Sequence, residues 1–295
     1  RGLDLGLVAP PVRGKVDAAG KARLVGLSDF VWEGQATATG VEYPSGAIAR
    51  VSSPITIRKD RSTISWELPR ANVEGGRVTP LKSLAPSNYT VATRGEVNLM
   101  ARTVEVTQAQ VIGAPGQVPG RGVYTISTGA FEYSGAASFN RLVDLVPLTG
   151  AARGQWSVRR SSHDAPIRIT ADATGRNVSS RIDVLADLAG PSPVARMTGV
   201  VRDGRFTLES GNFRGAGLNA NMTGRIADNG AVTGRATGTL SRPLSLPSAT
   251  IAWATFAAEM SGQLSAPKLD VMLSNGTAVV AGLSINDIVG EAQAS

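Results

Sequence analysis

The side chains that usually carry catalysis or bind metals are sparse in this chain. It has 295 residues, one histidine and no cysteine. A zinc site needs about three protein ligands, and a Ser-His-Asp site needs a nucleophile on a rigid turn. The single histidine, His163, lies in residues 161–166, a sequence typical of a loop between strands. We therefore expect a surface turn there and no metal site.

Paired carboxylates are equally scarce. A glycosidase needs two Asp or Glu side chains that flank the bond to be broken. Asp183 and Asp187 come nearest, but residues 182–188 have the pattern of one or two helical turns before Pro191. No phosphate-binding loop, dinucleotide fingerprint or nucleophile elbow occurs. The sequence therefore predicts no enzyme, no catalytic residue and no cofactor.

Composition and charge exclude several other classes. The apolar content of 42% is too high for a disordered chain, and the absence of cysteine excludes a disulfide scaffold. No apolar run approaches the ~20 residues that cross a bilayer as a helix. The net charge is +7, but the basic residues are scattered and lack the interleaved aromatics of a nucleic-acid surface. We expect neither a transmembrane helix nor a nucleic-acid partner.

Alternation of apolar and polar residues with a period of two dominates the chain. Ile64, Trp66 and Leu68, for example, alternate with Ser65 and Glu67. One-sided alternation is typical of antiparallel strands with one dry face and one wet face. The sequence predicts an all-β fold, an elongated and curled, mainly antiparallel sheet with one or two short helices.

Turn signals separate these strands. Asp203-Gly204, Asn229-Gly230 and Asn275-Gly276 favour two-residue hairpins, in which both central residues need a positive φ. Residues 269–280 therefore predict a hairpin with Asn275-Gly276 at its turn. Residues 113–120 are rich in Gly and Pro and predict a loop. The whole chain, residues 1–295, is expected to form one elongated, trough-shaped sheet, with a possible sub-boundary near this loop.

A second short helix is predicted before residue 147. Phe139, Leu142, Val143 and Val146 recur at helical spacing, and Pro147 would end that helix.

Weak internal repeats indicate a structure built from similar hairpins. Residues 197–204 recur as residues 222–230, an offset of 25 residues, and residues 20–28 resemble residues 276–284. Repetition of this kind is typical of assemblies in which each unit contacts only its neighbours.

The apolar side of the strands is the remaining candidate site. It would either pack as an ordinary core or line a groove for acyl chains. Burial of an acyl chain yields about 0.8 kcal/mol per CH₂, so an apolar trough binds lipid without any catalytic residue. The side chains expected to line such a trough are Ile55, Ile57, Ile64, Trp66, Leu68, Val97, Leu99, Val104, Val106, Ile167, Ile169, Phe206, Leu208, Val271 and Leu273.

Several segments resemble the TamB family, named for the translocation and assembly module. Residues 262–273 read GQLSAPKLDVML, and Asn275-Gly276 and residues 279–283 follow. They resemble the recurrent unit of that family, G-x-L-x-x-P followed by alternating apolar residues, a hairpin and x-G-L. Residues 238–244 resemble another start of the unit. Residues 145–156 resemble a short apolar helix followed by a G-A-A-R-G-x-W strand.

The resemblance implies a function as well as a fold. TamB belongs to the AsmA-like, bridge-like lipid-transfer proteins of Gram-negative cells. Their β-taco, a curled sheet with an apolar interior, is implicated in moving phospholipid across the periplasm to the outer membrane. TamB is anchored in the inner membrane and partners TamA, an outer-membrane barrel, in outer-membrane biogenesis and protein secretion.

This chain would be an internal, non-enzymatic segment of such a protein. It shows neither the anchor helix nor a recognisable TamA-contacting domain, so TamA would be contacted outside it. Its own partners would be phospholipid acyl chains, and its location would be the periplasm. Two alternatives remain: a surface or secreted β-solenoid adhesin or passenger with a closed core, and an enzyme on a β-helix. Lipid carried by the purified chain separates the trough from the closed core.

Overall fold

The computed structural model is an antiparallel β structure. It describes residues 3–4, 13–26, 28–43, 46–78, 88–144, 148–180, 183–246, 249–264, 266–280 and 283–294. Within these ranges there are twenty strands and one α-helix, and every strand pairing given below is antiparallel. The expected all-β, antiparallel fold class with little helix is confirmed.

The chain divides into two compact units. The first comprises Arg1–Ser138 and Arg159–Asp164, and the second comprises Phe139–Val158 and Ala165–Ser295. Residues 113–120, where the sequence suggested a sub-boundary, lie inside the first unit.

The first unit is a meander in which strands that follow each other along the chain are neighbours in the sheet. Strands β2, β3, β4, β5, β7, β8, β9 and β10 pair in that order, while the two-residue strands β1 and β6 pair with β2 and β4. The strands are β1 Leu3–Asp4, β2 Arg13–Leu24, β3 Phe30–Tyr43, β4 Gly46–Asp60, β5 Thr63–Glu74, β6 Arg77–Val78, β7 Tyr89–Asn98, β8 Thr103–Gly113, β9 Gly116–Thr125 and β10 Phe131–Phe139.

The second unit is also a meander. Strands β12 to β16 pair in sequence, β18 follows β16, and β19 and β20 complete the sheet, with the short β17 paired to β18. The elements are β11 Thr149–Arg160, β12 Ile167–Ser179, α1 Asp183–Ala189, β13 Val194–Arg202, β14 Arg205–Arg214, β15 Leu218–Ile226, β16 Val232–Leu240, β17 Leu244–Leu246, β18 Ala249–Gln263, β19 Ala266–Val280 and β20 Leu283–Ala294.

The strand register sorts side chains onto two faces in the first unit. Directly opposed residues share a face, and successive residues of a strand alternate between faces. One row of opposed residues runs through Trp32, Ile57, Trp66, Gly95 and Val106. We call this side the apolar face of the first unit and the opposite side its polar face.

The second unit is sorted in the same way. A row of opposed residues runs through Ile169, Gly199, Leu208, Gly224 and Gly234, and defines the apolar face of the second unit. The neighbouring row, which alternates with it, lies on the polar face and runs through Arg168, Val200, Thr207, Arg225 and Thr233. The period-two pattern in the sequence therefore becomes a separation of the two faces.

The predicted hairpin at Asn275-Gly276 is wrong. Strand β19 runs through these residues, and its register shifts there by a β-bulge. The reason is long-range pairing, because β19 is hydrogen-bonded to β18 along one edge and to β20 along the other on both sides of the bulge. This pairing prevails over the local turn preference of Asn-Gly. The turn predicted at Asp203-Gly204 is present between β13 and β14, with positive φ at both residues.

The loop predicted over residues 113–120 is also wrong. Strand β8 ends at Gly113 and β9 begins at Gly116, so only two residues form the turn. The rest of the segment pairs with β8, with Gln117 opposite Ile112 and Pro119 opposite Gln110. Cross-strand pairing again prevails over a composition that favours turns.

One predicted helix is present and the other is a single turn. Helix α1 spans Asp183–Ala189 and ends at Gly190, whose φ is 63°. Of the longer stripe predicted from Phe139, only Leu142–Asp144 forms a 3₁₀ turn, because Phe139 is the last residue of β10. Val146, Pro147 and Ile182 lie outside the described residues.

The 25-residue repeat has a simple structural meaning. Met197 in β13 and Met222 in β15 both oppose Gly211 in β14, so they lie in one row, two strands apart. Each repeat therefore advances the sheet by one hairpin.

The bulge at Asn275 gives a test of the fold. Asn275 has a φ of 50°. We expect Asn275→Val to lower the free energy of unfolding by about 1–2 kcal/mol, because a β-branched residue is strained at positive φ. Asn275→Gly should stay within about 0.5 kcal/mol of the wild type. Urea unfolding measures both, and equal stability of the two variants would contradict the bulge.

Candidate functional site

The predicted trough residues of the first unit share one face. Strand pairing places all of them except Leu99 on the apolar face, and each of these is half-buried. Leu99 lies in the turn after β7 and is 46% exposed, so it stands at the rim. The others are Ile55, Ile57, Ile64, Trp66, Leu68, Val97, Val104 and Val106.

The predicted residues of the second unit also share one face. Ile167 and Phe206 both oppose Val201, and Ile169 and Leu208 both oppose Gly199. Val271 and Leu273 reach the same face through β15, β16 and β18. All six predicted side chains of this unit are half-buried.

The apolar faces are not sealed as a closed core would be. Among the residues that the structure describes, no large side chain is fully buried. The best buried apolar side chains in the first unit are small or medium in size, Ala71 at 2% and Val73 at 4% exposure. Native cores are close-packed and leave few gaps, so the half-buried apolar layers are only partly covered within the described residues.

Aromatic rings lie over glycines on the apolar face of the first unit. Trp66 is directly opposite Gly95, and a Cβ added to Gly95 would lie 2.5 Å from Cζ2 of the indole. Trp32 covers both Gly20 and Gly34 in the same way. The rings therefore occupy the space above these glycines and cover the sheet backbone there.

The second unit repeats this arrangement. Phe256 is directly opposite Gly238, and a Cβ added to Gly238 would lie 2.7 Å from its Cε1. Phe206 lies over Gly199, where an added Cβ would be 2.5 Å from Cε2. The pairing of aromatic rings with glycine is known as a way to stabilise strand glycines.

A cavity of about 260 Å³ lies on the apolar face of the second unit. Gly224 and Gly234 oppose each other directly in β15 and β16 and belong to its lining. Since neither has a side chain, two adjacent places in the apolar layer are empty. Apolar side chains border this gap, among them Phe206, Leu208, Ile226, Val232, Met260 and Leu269.

Helix α1 closes the other end of the same apolar face. Leu188 packs against a cluster that includes Leu240 and Ile251, which are 7% and 5% exposed. The N–H groups of Ala216 and Gly217 donate to the carbonyls of Ala189 and Leu188, at 3.1 and 3.0 Å. These bonds satisfy carbonyls at the helix end. One end of the face is therefore covered, and the cavity lies at the other end.

One polar atom on the apolar face of the second unit has no partner. Ser157 bonds Thr170 at 2.7 Å, and Thr170 belongs to the polar face. The adjacent Trp156 therefore points to the apolar face. Its indole Nε1 is buried and has no hydrogen-bond partner in the described part of the chain. An unsatisfied buried donor costs about 1–3 kcal/mol.

Ion pairs are found on the polar faces. Arg94 pairs with Glu67 at 2.8 Å in the first unit, and Arg235 pairs with Glu259 at 2.6 Å in the second. All four side chains are well exposed, so each pair contributes about 1 kcal/mol or less. The polar faces thus behave as solvated surfaces.

Two pKa shifts mark the surroundings of the first unit's apolar face. Burial raises the pKa of Tyr133 above its usual value, with a smaller contribution from Tyr124. At the rim, the backbone N–H of Arg61 and the hydroxyl of Ser28 donate to Asp29 and lower the pKa of that carboxyl. Tyr133 thus lies in apolar surroundings, whereas Asp29 lies in hydrogen-bonding surroundings.

The candidate chemical residues are not assembled into a site. His163 is exposed in a turn, where its backbone N–H donates to the carbonyl of Thr128 at 2.8 Å. Asp187 is exposed on α1. Across the described ranges, no group of three or more His, Asp or Glu side chains is placed to hold a metal ion. No helix in those ranges is long and apolar enough to cross a bilayer.

No protein-family model, curated protein or solved structure matches this chain.

Sequence reasoning found the apolar faces but missed the glycines that shape them. A glycine inside a strand pattern signals a bulge or close backbone approach, and this signal was present at Gly95, Gly224 and Gly234. Which glycine opposes an aromatic ring, and which opposes another glycine, depends on a register that the sequence does not show.

The pairing of Trp66 with Gly95 can be tested by adding one methyl group. We expect Gly95→Ala to lower the free energy of unfolding by about 1–3 kcal/mol, because the indole and a backbone carbonyl occupy the space. Gly26→Ala is the control, since its nearest neighbour would be 3.5 Å away. Thermal or urea unfolding measures both. A Gly95→Ala variant as stable as the control would show that the ring does not lie on the glycine.

Proposed function

We propose that this chain is a lipid-conducting segment whose apolar faces hold phospholipid acyl chains. The observation that carries the proposal is the cavity over Gly224 and Gly234, bordered by apolar side chains in an apolar layer that is only half-buried. At about 260 Å³ it is close to the lower bound of ordinary ligand sites, about 300 Å³. It accommodates a stretch of hydrocarbon chain.

The energetics favour a long apolar guest. Each buried CH₂ contributes about 0.8 kcal/mol, so an eight-carbon chain gains about 6 kcal/mol before the cost of its ordering. Binding of this kind needs no directional contact, which agrees with an apolar face that lacks assembled polar groups.

The resemblance to the TamB family supports the same proposal and extends it. On that basis the segment works in the periplasm, as part of an inner-membrane-anchored protein that moves phospholipid to the outer membrane and assists outer-membrane protein assembly. A TamA-like barrel would be its partner through regions outside this chain. The segment itself is non-enzymatic.

The competing proposal is an adhesin or passenger β-solenoid with a closed core. Such a protein would bury many large apolar side chains completely, whereas no large side chain in the described residues is fully buried and most on the apolar faces are half-buried. It would also carry no lipid after purification. Mass spectrometry of an organic extract of the purified chain distinguishes the two: phospholipid in near-stoichiometric amount supports the conduit, and its absence supports the closed core.

Filling the cavity gives a sharper test. Gly234→Val places a side chain on the apolar face, and the nearest atoms, Cε of Met260 and the carbonyl of Thr223, are 3.3 Å from the new Cβ. We expect dioctanoylglycerol affinity, measured by native mass spectrometry, to fall about tenfold. The reason is that the new side chain displaces about two methylenes of the acyl chain from the cavity, and their burial is lost.

The matched control is Thr237→Val, on the same strand but on the polar face and outside the cavity lining. It introduces the same side chain without entering the cavity, and its lipid affinity should equal that of the wild type. Equal losses in the two variants, or none in either, would contradict acyl binding at this cavity.

A further inference from the structure

A second hollow of the second unit, on the polar face, is surrounded by arginines. It has a volume of about 460 Å³, and its lining includes Arg168, Arg202, Arg205 and Arg225. All four belong to strands β12 to β15, near the ends joined by the Asp203-Gly204 turn. This hollow has no part in the acyl-binding proposal.

Two of these arginines are placed directly opposite each other by the strand register. Arg202 and Arg205 are directly opposed across the Asp203-Gly204 turn. The φ values of Asp203 and Gly204 are 51° and 73°, which are those of a tight hairpin turn. Like charges directly opposite each other on one face destabilise a strand pair. An anion between the two guanidinium groups would remove this repulsion.

The other two arginines flank the same place. Arg168, Val200, Thr207 and Arg225 form one row across four adjacent strands. With about 4.8 Å between strands, the Cα atoms of Arg168 and Arg225 are about 14 Å apart. The long side chains can reach toward the middle of the row, where Thr207 offers a hydroxyl.

The charges around the hollow do not cancel. Arg168 pairs with Glu209 at 2.7 Å, and both side chains are partly exposed. Asp203 is the other carboxylate of the lining, which leaves a net charge of +2 from four arginines and two acids. Arg202, Arg205 and Arg225 form no ion pair within the described part of the chain.

We propose that this hollow binds a phosphate group. A phosphate carries several acceptor oxygens and up to two negative charges, so one group can accept bonds from more than one guanidinium fork. The source is either the headgroup of a phospholipid or a free phosphate. Phe206 and Ile226, which border the apolar cavity, follow Arg205 and Arg225 directly. Cavity and hollow therefore lie on opposite faces at the same strand ends.

The test compares two double variants of the full chain. Arg202→Gln with Arg205→Gln removes the opposed pair. Arg196→Gln with Arg214→Gln removes the same charge from the same two strands and the same face, at their other ends. The probes are sodium pyrophosphate and dioctanoyl phosphatidylglycerol, with dioctanoylglycerol as the probe that lacks phosphate. Isothermal titration at low salt measures affinity, and thermal unfolding checks the fold.

We expect the first double variant to lose about tenfold or more in affinity for the phosphate probes, since it removes the charge-assisted hydrogen bonds of two guanidinium groups. Its thermal stability should equal or exceed that of the wild type, and the control variant should bind as the wild type does. Equal losses in both variants would reveal a net-charge effect and overturn the proposal. Failure of the wild type to bind either phosphate probe would also overturn it.

The probes separate the two sources of phosphate. Similar affinity for pyrophosphate and phosphatidylglycerol identifies the phosphate group alone as the ligand. Much tighter binding of phosphatidylglycerol identifies a lipid headgroup whose chains use the apolar face. If dioctanoylglycerol does not bind but pyrophosphate does, the acyl proposal fails while the phosphate site stands.

Discussion

In an antiparallel sheet whose strands separate apolar from polar side chains, the apolar face is stable only when other groups shield it from water. The rows through Trp66 in the first unit and Leu208 in the second show this separation in consecutive strands. Hydrophobic burial is the dominant favourable term in folding and contributes about 25 cal/mol for each Å² removed from water. A layer that stays half-exposed forfeits part of that stabilisation, so a guest that completes the burial binds favourably.

The positions of the glycines determine how much space the apolar face leaves for a bound acyl chain. Where a glycine opposes an aromatic ring, as Gly95 opposes Trp66, the ring fills the space above the glycine. Where two glycines oppose each other, as Gly224 and Gly234 do, the layer has a gap. Helix α1 then fills the opposite end of the same face, which confines the gap to one end of the strands.

Much of this fold could be predicted from the sequence because the alternation of apolar and polar residues is local and regular. The strands around Ile64 and Ile169, the turn at Asp203-Gly204 and the helix before Gly190 all follow from neighbouring residues. The turn and loop predictions that failed concern segments in which cross-strand pairing prevails over the local turn preference. Asn275-Gly276 lies inside a strand because β18 and β20 hold it from both edges.

Part of the candidate site could be predicted from the sequence, and part could not, for the same reason. Membership of the apolar face followed from the period-two pattern, except at Leu99, where the strand ends one residue earlier. The cavity and the arginine hollow could not be predicted from that pattern, because both depend on which residues of adjacent strands are opposed. Arg202 and Arg205 are close in sequence, but Arg168 and Arg225 join them only through three strand pairings.

Quenching of single tryptophans by a brominated phospholipid tests the central claim most directly. Trp66 lies on the apolar face, whereas Trp253 is 48% exposed and opposes Thr277 on the polar face. In variants that retain one tryptophan each, brominated acyl chains should quench Trp66 strongly and Trp253 little. Equal quenching of the two, or quenching of neither, would contradict a sheet whose apolar side receives lipid.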